Sequence, residues 1–585
     1  MTDTARDWGV EDGYHDVFGR WHQTEPDTAS RLVARLSAGR SAPSSVAPPA
    51  QNDYRAFQGD GRRSWGIAVQ LYAVRSDANW GIGDFSDLKA VLEVAARSGA
   101  DAVGLNPLHA LFLDRPDNAS PYAPNSRLFL NPIYIDVSAI PEFGDTVDEE
   151  IRTKIEQLRA VDLVDYEAVA AVKQRALQFA YAMFVDRGSP ERKARFADFR
   201  ADQGEKLTRF SCFEVLRRRY EGVAWRQWPD PWRNPDFQAL AEFRRQEDRA
   251  CGFFEFLQWV ADDQLAACRE KARELGLAIG LYLDLAVGVD PDGADAWSNQ
   301  TAVLSDFSVG APPDEFNPAG QDWGLAPFNP HALPDNDFAA FRELLAAAMR
   351  HAGAVRLDHV LGLMRLYLVP HGASASVGAY LRFPFEPLLR VIAEESNRYH
   401  CIFIGEDLGT VPDGFRETAG RWGVWTYRVM MFERWGDGEF KPPHHYPGEA
   451  LATFNTHDLP TFRGWMSGHD LGVKRGLGLD PGESDDGRQQ AREALYRVLS
   501  HGAHGPADSF ASASAHLTST PARLVMVSVE DMLDVVEQVN IPGTVDQHAN
   551  WRRKLPVALE SWTEGETWTN VAAAFERAGR SLLRP

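Results

Sequence analysis

The sequence is poor in cysteine, with four in 585 residues. They show no CxxC spacing, which argues against a disulfide scaffold and favours free thiols in a reducing compartment. No apolar run approaches the roughly 18 residues that a membrane-spanning helix needs. The N-terminal stretch MTDTARDWGVEDGYHD has neither the basic start nor the apolar core of a signal peptide. We therefore expect a cytoplasmic protein with no membrane partner.

Positive charge is also scarce. There are 61 Lys and Arg against 83 Asp and Glu, which gives a formal net charge of −22. Such a surface repels phosphate backbones, so nucleic acid is a poor partner. Hydrophobic residues make up 44% of the chain and charged residues 25%. These values are typical of a globular protein and argue against a disordered or fibrous one.

Cofactor motifs are missing as well. The sequence contains no Walker A loop, no Rossmann glycine fingerprint and no HExxH. The HHYP at residues 444–447 has no nearby cysteine and no helical i, i+4 pair of histidines, so it does not indicate a metal site. No calcium cage is visible either. We therefore expect no cofactor and no metal.

Eight short apolar runs recur along the chain, each about the length of a buried parallel strand. Most follow a stretch with helical spacing that ends at glycine, such as FSDLKAVLEVAARSG, DDQLAACREKARELG and FRELLAAAMRHAG. This alternation predicts an α/β fold, a (β/α)8 TIM barrel, and leaves an open doubly wound sheet as the alternative. The runs are residues 66–74, 101–109, 278–287, 354–363, 401–409, 427–433, 451–458 and 523–533.

Three further segments lie outside this alternation. Two short helices and a Pro- and Ser-rich linker are expected within residues 1–53, as a small N-terminal extension before the main body at 54–585, which contains the barrel. The long gap between the second and third runs predicts a mainly helical insertion at about 135–270. A smaller insertion is expected at about 460–520.

Charged residues interrupt the apolar runs near their C-terminal ends, where a (β/α)8 enzyme builds its active site. One acid at a strand end is often only a helix N-cap, but several on one rim repel each other and shift each other's pKa. These residues are Asp284, Asp290, Asp292 and Asp295 at the third run, Arg356, Asp358 and His359 at the fourth, Glu406 and Asp407 at the fifth, and His457 and Asp458 at the seventh.

Glycosidic-bond cleavage needs such a cluster. One carboxylate attacks the anomeric carbon, while another carboxyl stays protonated and donates to the leaving oxygen. Arg356 lies two residues before Asp358 on the same strand face and can hold that acid ionised. The positions alone predict a cluster of Asp358, Glu406 and Asp458, but they do not assign the roles.

Aromatic residues in polar loops provide the second half of a sugar site. Flat apolar rings suit the faces of glucose units, while neighbouring Asp, Asn and Arg reach the hydroxyls. Tyr122 lies in SPYAPNSR, Trp323 in GQDWGLAPFNP, and Asn550 and Trp551 in QHANWRRKL. Most of the other aromatics are expected to be core residues.

At these motifs the sequence resembles the amylomaltases, the 4-α-glucanotransferases of glycoside hydrolase family 77 in the α-amylase clan. The bacterial maltodextrin-utilisation type is the most similar. The resemblance extends from about residue 60 to 580. It rests on nine motifs in family order: QLYAVRSDANWGIGDF, GLNPLHALF, SPYAPNSRLFLNPIYIDV, DLAVGVDPDGADAW, GAPPDEFNPAGQDWGLAP, VRLDHVLGL, GEDLGTVP, FNTHDLPT and IPGTVDQHANWRRKL.

The resemblance implies a role for each matched residue. Asp358 would be the nucleophile with Arg356 beside it, Glu406 the acid/base, and Asp458 the transition-state stabiliser with His457 as its partner. Asp292 would be the acid after the third strand and Tyr122 the tyrosine near the cleavage point. Trp323 and Phe316 would lie in a flexible lid over the donor site. In that lid this chain has Glu315 where some members have tyrosine.

The implied reaction transfers part of a maltodextrin, or of another α-1,4-glucan, to the 4-hydroxyl of an acceptor glucan or glucose with retention of configuration. An α-amylase-like hydrolase would use the same carboxylates with water as acceptor, and the residues alone do not separate the two. A third hypothesis is a glycan-binding protein with a catalytically dead barrel. A retaining mechanism predicts that the two catalytic carboxyls lie roughly 5–5.5 Å apart.

Overall fold

The computed structural model describes residues 3–15, 19–44, 46, 54–144, 149–313, 319–500 and 509–581. Its centre is a closed barrel of eight parallel strands that follow one another around the ring in chain order. The predicted (β/α)8 barrel is therefore confirmed, and the open doubly wound alternative is wrong. We number the strands β1 to β8: Ser64–Val69, Ala102–Leu105, Gly280–Leu285, Ala354–Leu357, Ile402–Gly405, Trp425–Val429, Ala450–Thr453 and Leu524–Ser528.

The inside of the barrel is filled by large side chains from some strands and small residues on others. Tyr282 of β3 and Met526 of β8 occupy the space that glycines leave on β1 and β2. A Cβ atom at Gly66 would lie 2.6 Å from the carbonyl oxygen of Ala102, and one at Gly104 would lie 2.8 Å from the Tyr282 ring. Only glycine fits at these two positions, and the barrel core is packed rather than open.

Helices surround the barrel. The helix after β1, Phe85–Arg97, begins with a capping box in which Asp84 and Asp87 each accept a backbone N–H of the other. The other predicted crossover helices are present as Asp248–Glu274 and Ala339–Met349. The helices after the later strands are Phe385–Tyr399, Phe415–Arg421, Val529–Met532 and Glu566–Arg577.

Two long connections are mainly helical, as expected. Between β2 and β3, an antiparallel pair formed by His109–Ala110 and Ser126–Leu130 precedes the helices Glu149–Ala160, Tyr166–Arg187, Pro190–Arg219, Asp230–Arg233 and Phe237–Gln246. Between β7 and β8 lie Phe462–Ser467, His469–Gly476, Asp485–Ser500 and Phe510–Thr518. The division of the chain into domains stays a prediction.

The N-terminal segment contains the two expected short helices, Asp3–Asp7 and Pro26–Leu36. It also contains an antiparallel strand pair that the sequence did not predict, Gly13–His15 with Trp21–Gln23. Most of the predicted linker, residues 45 and 47–53, lies outside the described residues.

A second sheet lies beside the barrel. It is antiparallel, and its strands in spatial order are Ala379–Arg382, Arg365–Pro370, Phe307–Ala311 and Gln321–Leu325. These strands come from the chain that follows β3 and β4, and Ala294–Ser298 is a short helix before them. The sheet therefore connects the outer part of the molecule with two neighbouring barrel strands.

The four cysteines are buried free thiols, Cys212, Cys251, Cys268 and Cys401. None of the helices in the described ranges is both long and apolar enough to cross a membrane.

Candidate active site

Asp358 and Glu406 are the first residues after two neighbouring barrel strands. β4 and β5 pair in parallel with Leu357 opposite Gly405, so the next residue of each strand reaches the same rim. The barrel's hydrogen-bond ladder continues through both acids. The Asp358 N–H donates to the carbonyl of Leu285 at 3.0 Å, and the Glu406 N–H donates to that of Leu357 at 3.0 Å. The backbone of the barrel thus places the two carboxyls side by side.

Arg356 binds two carboxylates at once. Its Nη1 lies 2.7 Å from each carboxylate oxygen of Asp284, and its Nη2 donates to Asp358 Oδ1 at 2.8 Å. The guanidinium is buried, so these contacts are weakly screened by water. Burial raises the pKa of Asp358 to about 6, and Arg356 opposes that rise. At neutral pH Asp358 is therefore ionised, as a nucleophile must be.

Glu406 is held by two backbone donors. The Leu408 N–H donates to Oε1 at 2.7 Å and the His359 N–H donates to Oε2 at 2.9 Å. Burial raises the pKa of Glu406, while Arg356 and the two N–H groups oppose that rise. A general acid needs a raised pKa so that it keeps its proton until it reacts. Burial of Glu406 acts in this direction because it disfavours the charged carboxylate.

His359 adopts the left-handed helical conformation, with φ 48° and ψ 57°. That region is unfavourable for a residue with a Cβ atom, and such residues cluster at functional sites. Here the conformation turns the chain after Asp358 so that the His359 N–H reaches Glu406. The local backbone therefore links the carboxyl of Glu406 to the residue after Asp358.

Asp458 lies beyond the end of β7 and is held by side chains other than Arg356. Asn540 Nδ2 donates to its Oδ1 at 2.6 Å, and His457 Nε2 lies 3.4 Å from its Oδ2. Gln538 donates to its backbone carbonyl at 2.8 Å. Burial is the largest single influence and acts to raise the pKa of Asp458, but His457 and Asn540 outweigh it and the pKa is lowered. Asp458 is therefore a permanent anion in the cluster.

Tyr122 connects the two halves of the cluster. Its hydroxyl donates to Asp284 Oδ2 at 2.6 Å, and its oxygen lies 3.4 Å from His457 Nδ1. Since the phenol proton goes to Asp284, the oxygen can only accept from His457, and a proton on Nδ1 completes that contact. Nε2 faces Asp458, which is also an acceptor. Both ring nitrogens therefore face acceptors, an arrangement that favours the imidazolium, and the pKa of His457 is raised: burial lowers it, but Asp458 raises it more.

Aromatic rings cover the same cluster. The ring centroids of Tyr122 and His457 are 4.9 Å apart, and the Trp551 ring lies 5.5 Å from the first and 5.2 Å from the second. Trp323 meets the ring of His359 edge-on at 5.2 Å, on the side of β4. The structure thus brings the predicted residues Tyr122, His457, Trp551 and Trp323 to the predicted carboxylates.

Two predicted residues do not join the cluster. Asp292, in the loop after β3, forms an ion pair with Arg226 of the helical insertion. The aspartate that contacts Arg356 is Asp284, on β3 itself. Asn550 uses its side chain inside its own loop, where Oδ1 accepts from Ile541 and Nδ2 donates to Thr544. Phe316 and Glu315 lie outside the described residues.

The sequence interpretation missed Glu530. It lies two residues after the last residue of β8, is buried, and lines a cavity of about 80 Å³ together with Asp284, Arg356 and His457. Burial raises the pKa of Glu530 to about 7. The signal was available, since VMVSVED has the same acid pair at a strand end as IFIGED.

Two exposed rings were also missed. Phe432 and Trp435 lie on the loop after β6, at the end of the barrel that carries the cluster, and are 54% and 44% exposed. Large apolar rings in such a position suit the faces of sugar rings. Among the described residues, no group of three or more His, Cys, Asp or Glu side chains is arranged to hold a metal ion.

Comparison with known proteins shows the family of this chain. The profile of the family described as 4-alpha-glucanotransferase, Glyco_hydro_77, matches residues 69–559, a range that includes every predicted site residue. The chain belongs to the 4-alpha-glucanotransferase family. A relative named 4-alpha-glucanotransferase from Mycobacterium tuberculosis H37Rv is 37% identical over 555 residues, covering 89% of this chain and 76% of the relative. The 4-alpha-glucanotransferase of Haemophilus influenzae is 35% identical over 535 residues, covering 86% of this chain and 76% of that protein.

Solved structures of this family have the same fold. The amylomaltase from Corynebacterium glutamicum superposes with a TM-score of 0.83 at 27% identity, covering 98% of each chain. The amylomaltase from Streptococcus agalactiae, solved in complex with acarbose, superposes with a TM-score of 0.74 at 18% identity, covering 89% of this chain and 100% of that one.

Proposed function

We propose that this 4-alpha-glucanotransferase moves a segment of an α-1,4-glucan, such as a maltodextrin, to the 4-hydroxyl of another glucan or glucose. The observation that carries the residue assignment is the pair of neighbouring strand ends. Asp358 is held ionised by Arg356, and Glu406 has a pKa that burial raises. One ionised carboxylate that can attack and one carboxyl that can give a proton, on one rim, are what a retaining glycosidic displacement uses.

In the first half of the reaction, Asp358 attacks C1 of the donor glucose while Glu406 protonates the departing glycosidic oxygen. The reducing-end piece leaves and a β-glucosyl–Asp358 ester remains. Asp458 and the His457 imidazolium hold the hydroxyls of the reacting sugar, one as acceptor and one as donor. Trp551 and Tyr122 pack against the apolar face of that sugar.

In the second half, Glu406 has lost its proton and acts as the base. It takes the proton of the acceptor's 4-hydroxyl as that oxygen attacks C1, and the ester to Asp358 breaks. The two inversions at C1 restore the α configuration. None of these steps uses a cofactor or a metal ion.

Transfer requires a sugar rather than water in the acceptor position. The exposed rings of Phe432 and Trp435, on the loop next to the strand that bears Glu406, support this because they offer an apolar platform on the acid/base side. The four buried free thiols support a reducing, cytoplasmic location.

Incubation with maltotriose tests the proposal. A transferase gives a ladder of shorter and longer α-1,4-glucans plus glucose, whereas the hydrolase alternative gives only shorter products. Binding of maltotriose without any turnover would favour the glycan-binding alternative instead. The anomeric form of the first-formed products, followed by NMR, tests retention, and β products would contradict the roles given to Asp358 and Glu406.

A further inference from the structure

The N-terminal segment, residues 3–15, 19–44 and 46, shares an apolar core with the second sheet. Its helices and the turn between them contribute six buried side chains, all at most 5% exposed. The sheet and the chain before it contribute seven. The segment's members are Ala5, Trp8, Val10, Ala29, Leu32 and Leu36, and the facing residues are Leu304, Phe307, Val309, Leu366, Leu368, Ala379 and Leu381.

Backbone bonds continue this contact at the edge of the sheet. Val10 forms an antiparallel bridge with Leu381, with the Glu11 N–H donating to the Tyr380 carbonyl at 2.9 Å and the Arg382 N–H donating to the Gly9 carbonyl at 2.9 Å. The N-terminal segment therefore adds to the sheet as a neighbouring strand would, and it fixes the outer edge in one register.

Polar contacts fix the orientation of the segment on the sheet. Arg365 and Glu11 form an ion pair at 2.8 Å, with both side chains largely shielded from water. The Trp8 ring meets the His331 ring edge-on at 5.0 Å, and His331 Nε2 lies 3.0 Å from the Trp8 carbonyl oxygen. These contacts come from chain regions more than 300 residues apart in sequence.

The far edge of the same sheet is the strand Gln321–Leu325, which carries Trp323. Trp323 packs against the shared apolar core on one side and against His359 on the other. His359 is the residue whose strained backbone N–H holds Glu406. A continuous path of packed groups therefore leads from the N-terminal segment to the catalytic rim.

We propose that the N-terminal segment acts as a positioning element for Trp323, and so helps to set how tightly the donor glucan is bound beside Asp358. This inference rests on the proposed function. The physical reason is that Trp323 is only partly buried and that, within the part of the chain that the structure describes, no strand pairs with the outer edge of its strand, so the position of the ring depends on the core beneath it. Loss of packing in that core lets the ring move, and substrate contacts are sensitive to displacements of about 1 Å.

The test compares two substitutions that remove the same atoms. Leu32→Ala opens the core shared with the sheet, and Leu240→Ala is the matched control, since both leucines are fully buried and Leu240 lies in the helical insertion. Initial rates of maltotriose disproportionation give KM and kcat for each variant. We expect Leu32→Ala to raise KM roughly fivefold, with kcat changed by less than about twofold, because donor contacts loosen while the carboxylates stay in place. Leu240→Ala should leave KM within about twofold of the wild type.

A double-mutant cycle with Trp323→Ala separates positioning from general loss of stability. If the segment acts through Trp323, Leu32→Ala adds nothing to KM once Trp323 is gone. Equal effects of Leu32→Ala in both backgrounds would overturn the proposal, and so would a KM no higher than that of Leu240→Ala. If Leu32→Ala does not fold, Glu11→Gln breaks the ion pair with Arg365 at constant volume and carries the same cycle.

Amide hydrogen exchange gives a second, independent measurement. In Leu32→Ala we expect faster exchange in peptides that cover residues 307–311 and 321–325 as well as in the N-terminal segment. Faster exchange confined to residues 3–44 would overturn the proposal. The wild type decides the underlying function separately, because absence of a maltotriose ladder in the unmodified protein would contradict the transfer reaction whatever the variants do.

Discussion

Two groups of residues meet at the active site, and they are held in different ways. Asp358, Glu406 and Arg356 are in or directly after barrel strands, and the ladder of backbone hydrogen bonds fixes their spacing. Tyr122 and Trp323 belong to connections outside the barrel and depend on ring contacts and on distant parts of the chain. The difference indicates that the barrel alone positions the carboxyls proposed to react, whereas the rings proposed to hold the sugar need the added segments. Four predictions separate the two groups.

The largest effect is expected at the strand ends. Asp358→Asn keeps the shape of the side chain and its contact with Arg356 but removes the nucleophile. We expect kcat for maltotriose disproportionation to fall by roughly 10⁵-fold or more, because no covalent intermediate can form. Asp486→Asn, at an exposed aspartate on the Asp485–Ser500 helix, is the control and should be unchanged. Near-normal activity of Asp358→Asn would refute its role.

A substitution of Glu530 tests how a buried acid near a strand end affects the free energy of unfolding. Its pKa is raised from 4.5 to about 7, so the folded state binds its proton more tightly than the unfolded state does. The stability that this proton contributes is complete below about pH 4.5 and is lost as the pH rises through about 7, a difference of about 3 kcal/mol in the free energy of unfolding.

Glu530→Gln should therefore be more stable than the wild type by about that amount at pH 8 and nearly equal to it at pH 4. Urea unfolding at both pH values measures this. Glu576→Gln, the same substitution at an exposed glutamate, is the control. Equal stability of Glu530→Gln and wild type at pH 8 would contradict the assignment of Glu530 as a buried neutral acid.

Tyr122 tests the connection between the strand group and the loop group. Tyr122→Phe removes the hydroxyl that bonds Asp284 and accepts from His457. We expect kcat/KM to fall roughly 10- to 30-fold, since Asp284 and His457 each lose a hydrogen-bond partner. The alkaline limb of the pH profile should also move to lower pH, because the imidazolium loses its acceptor and its pKa falls.

The control for Tyr122 is a buried tyrosine whose hydroxyl forms no hydrogen bond with the described residues. Tyr446 has a buried hydroxyl with no hydrogen-bond partner among the residues that the structure describes, so Tyr446→Phe should leave both rate and pH profile unchanged. An unshifted alkaline limb in Tyr122→Phe would show that His457 is not held as a cation through this hydroxyl.

The smallest effect is expected at the loop after β6. Phe432→Ala removes an exposed ring on the side of Glu406. We expect the ratio of transfer to hydrolysis to fall about threefold, because a sugar then binds less well in the acceptor position and water reacts there more often. Glucose release at fixed maltotriose conversion measures it. Phe179→Ala, on the Tyr166–Arg187 helix and 43% exposed, is the matched control.

The strand group was predictable from the sequence because it follows a repeating pattern. Each acid stands where a β-rich run ends, and the resemblance of the motifs VRLDH, GEDLG and THD to the family indicates which acid takes which role. The set of side chains that contact Arg356 was less predictable. Four aspartates follow one another between positions 284 and 295, and only the end of β3 at Leu285 decides that Asp284 faces the barrel axis while Asp292 lies out in the loop beside Arg226.

Residues that act through another residue left no pattern of their own. Asn540 holds Asp458, but in the sequence it is one polar residue among several before IPGT, more than 80 positions from its partner. Asn550 was predicted to bind sugar because it stands next to Trp551, and its bonds instead close the loop that carries Asn540. The support of Trp323 by the N-terminal segment involves contacts across nearly the whole chain, which a single sequence does not reveal.

The carboxyls gathered at one rim of the barrel have an electrostatic consequence for the proposed reaction. In the proposed reaction, Asp358 and Asp458 lie beside the sugar as anions, while Glu406 gives its proton to the leaving oxygen and becomes a carboxylate. This proton transfer leaves the total charge of site and sugar unchanged but separates it, with close to one positive charge on the oxocarbenium-like sugar and a new negative charge on Glu406. The sugar that binds first has no such positive charge for the carboxylates to stabilise. A site built in this way favours the fleeting cation over the sugar it binds first.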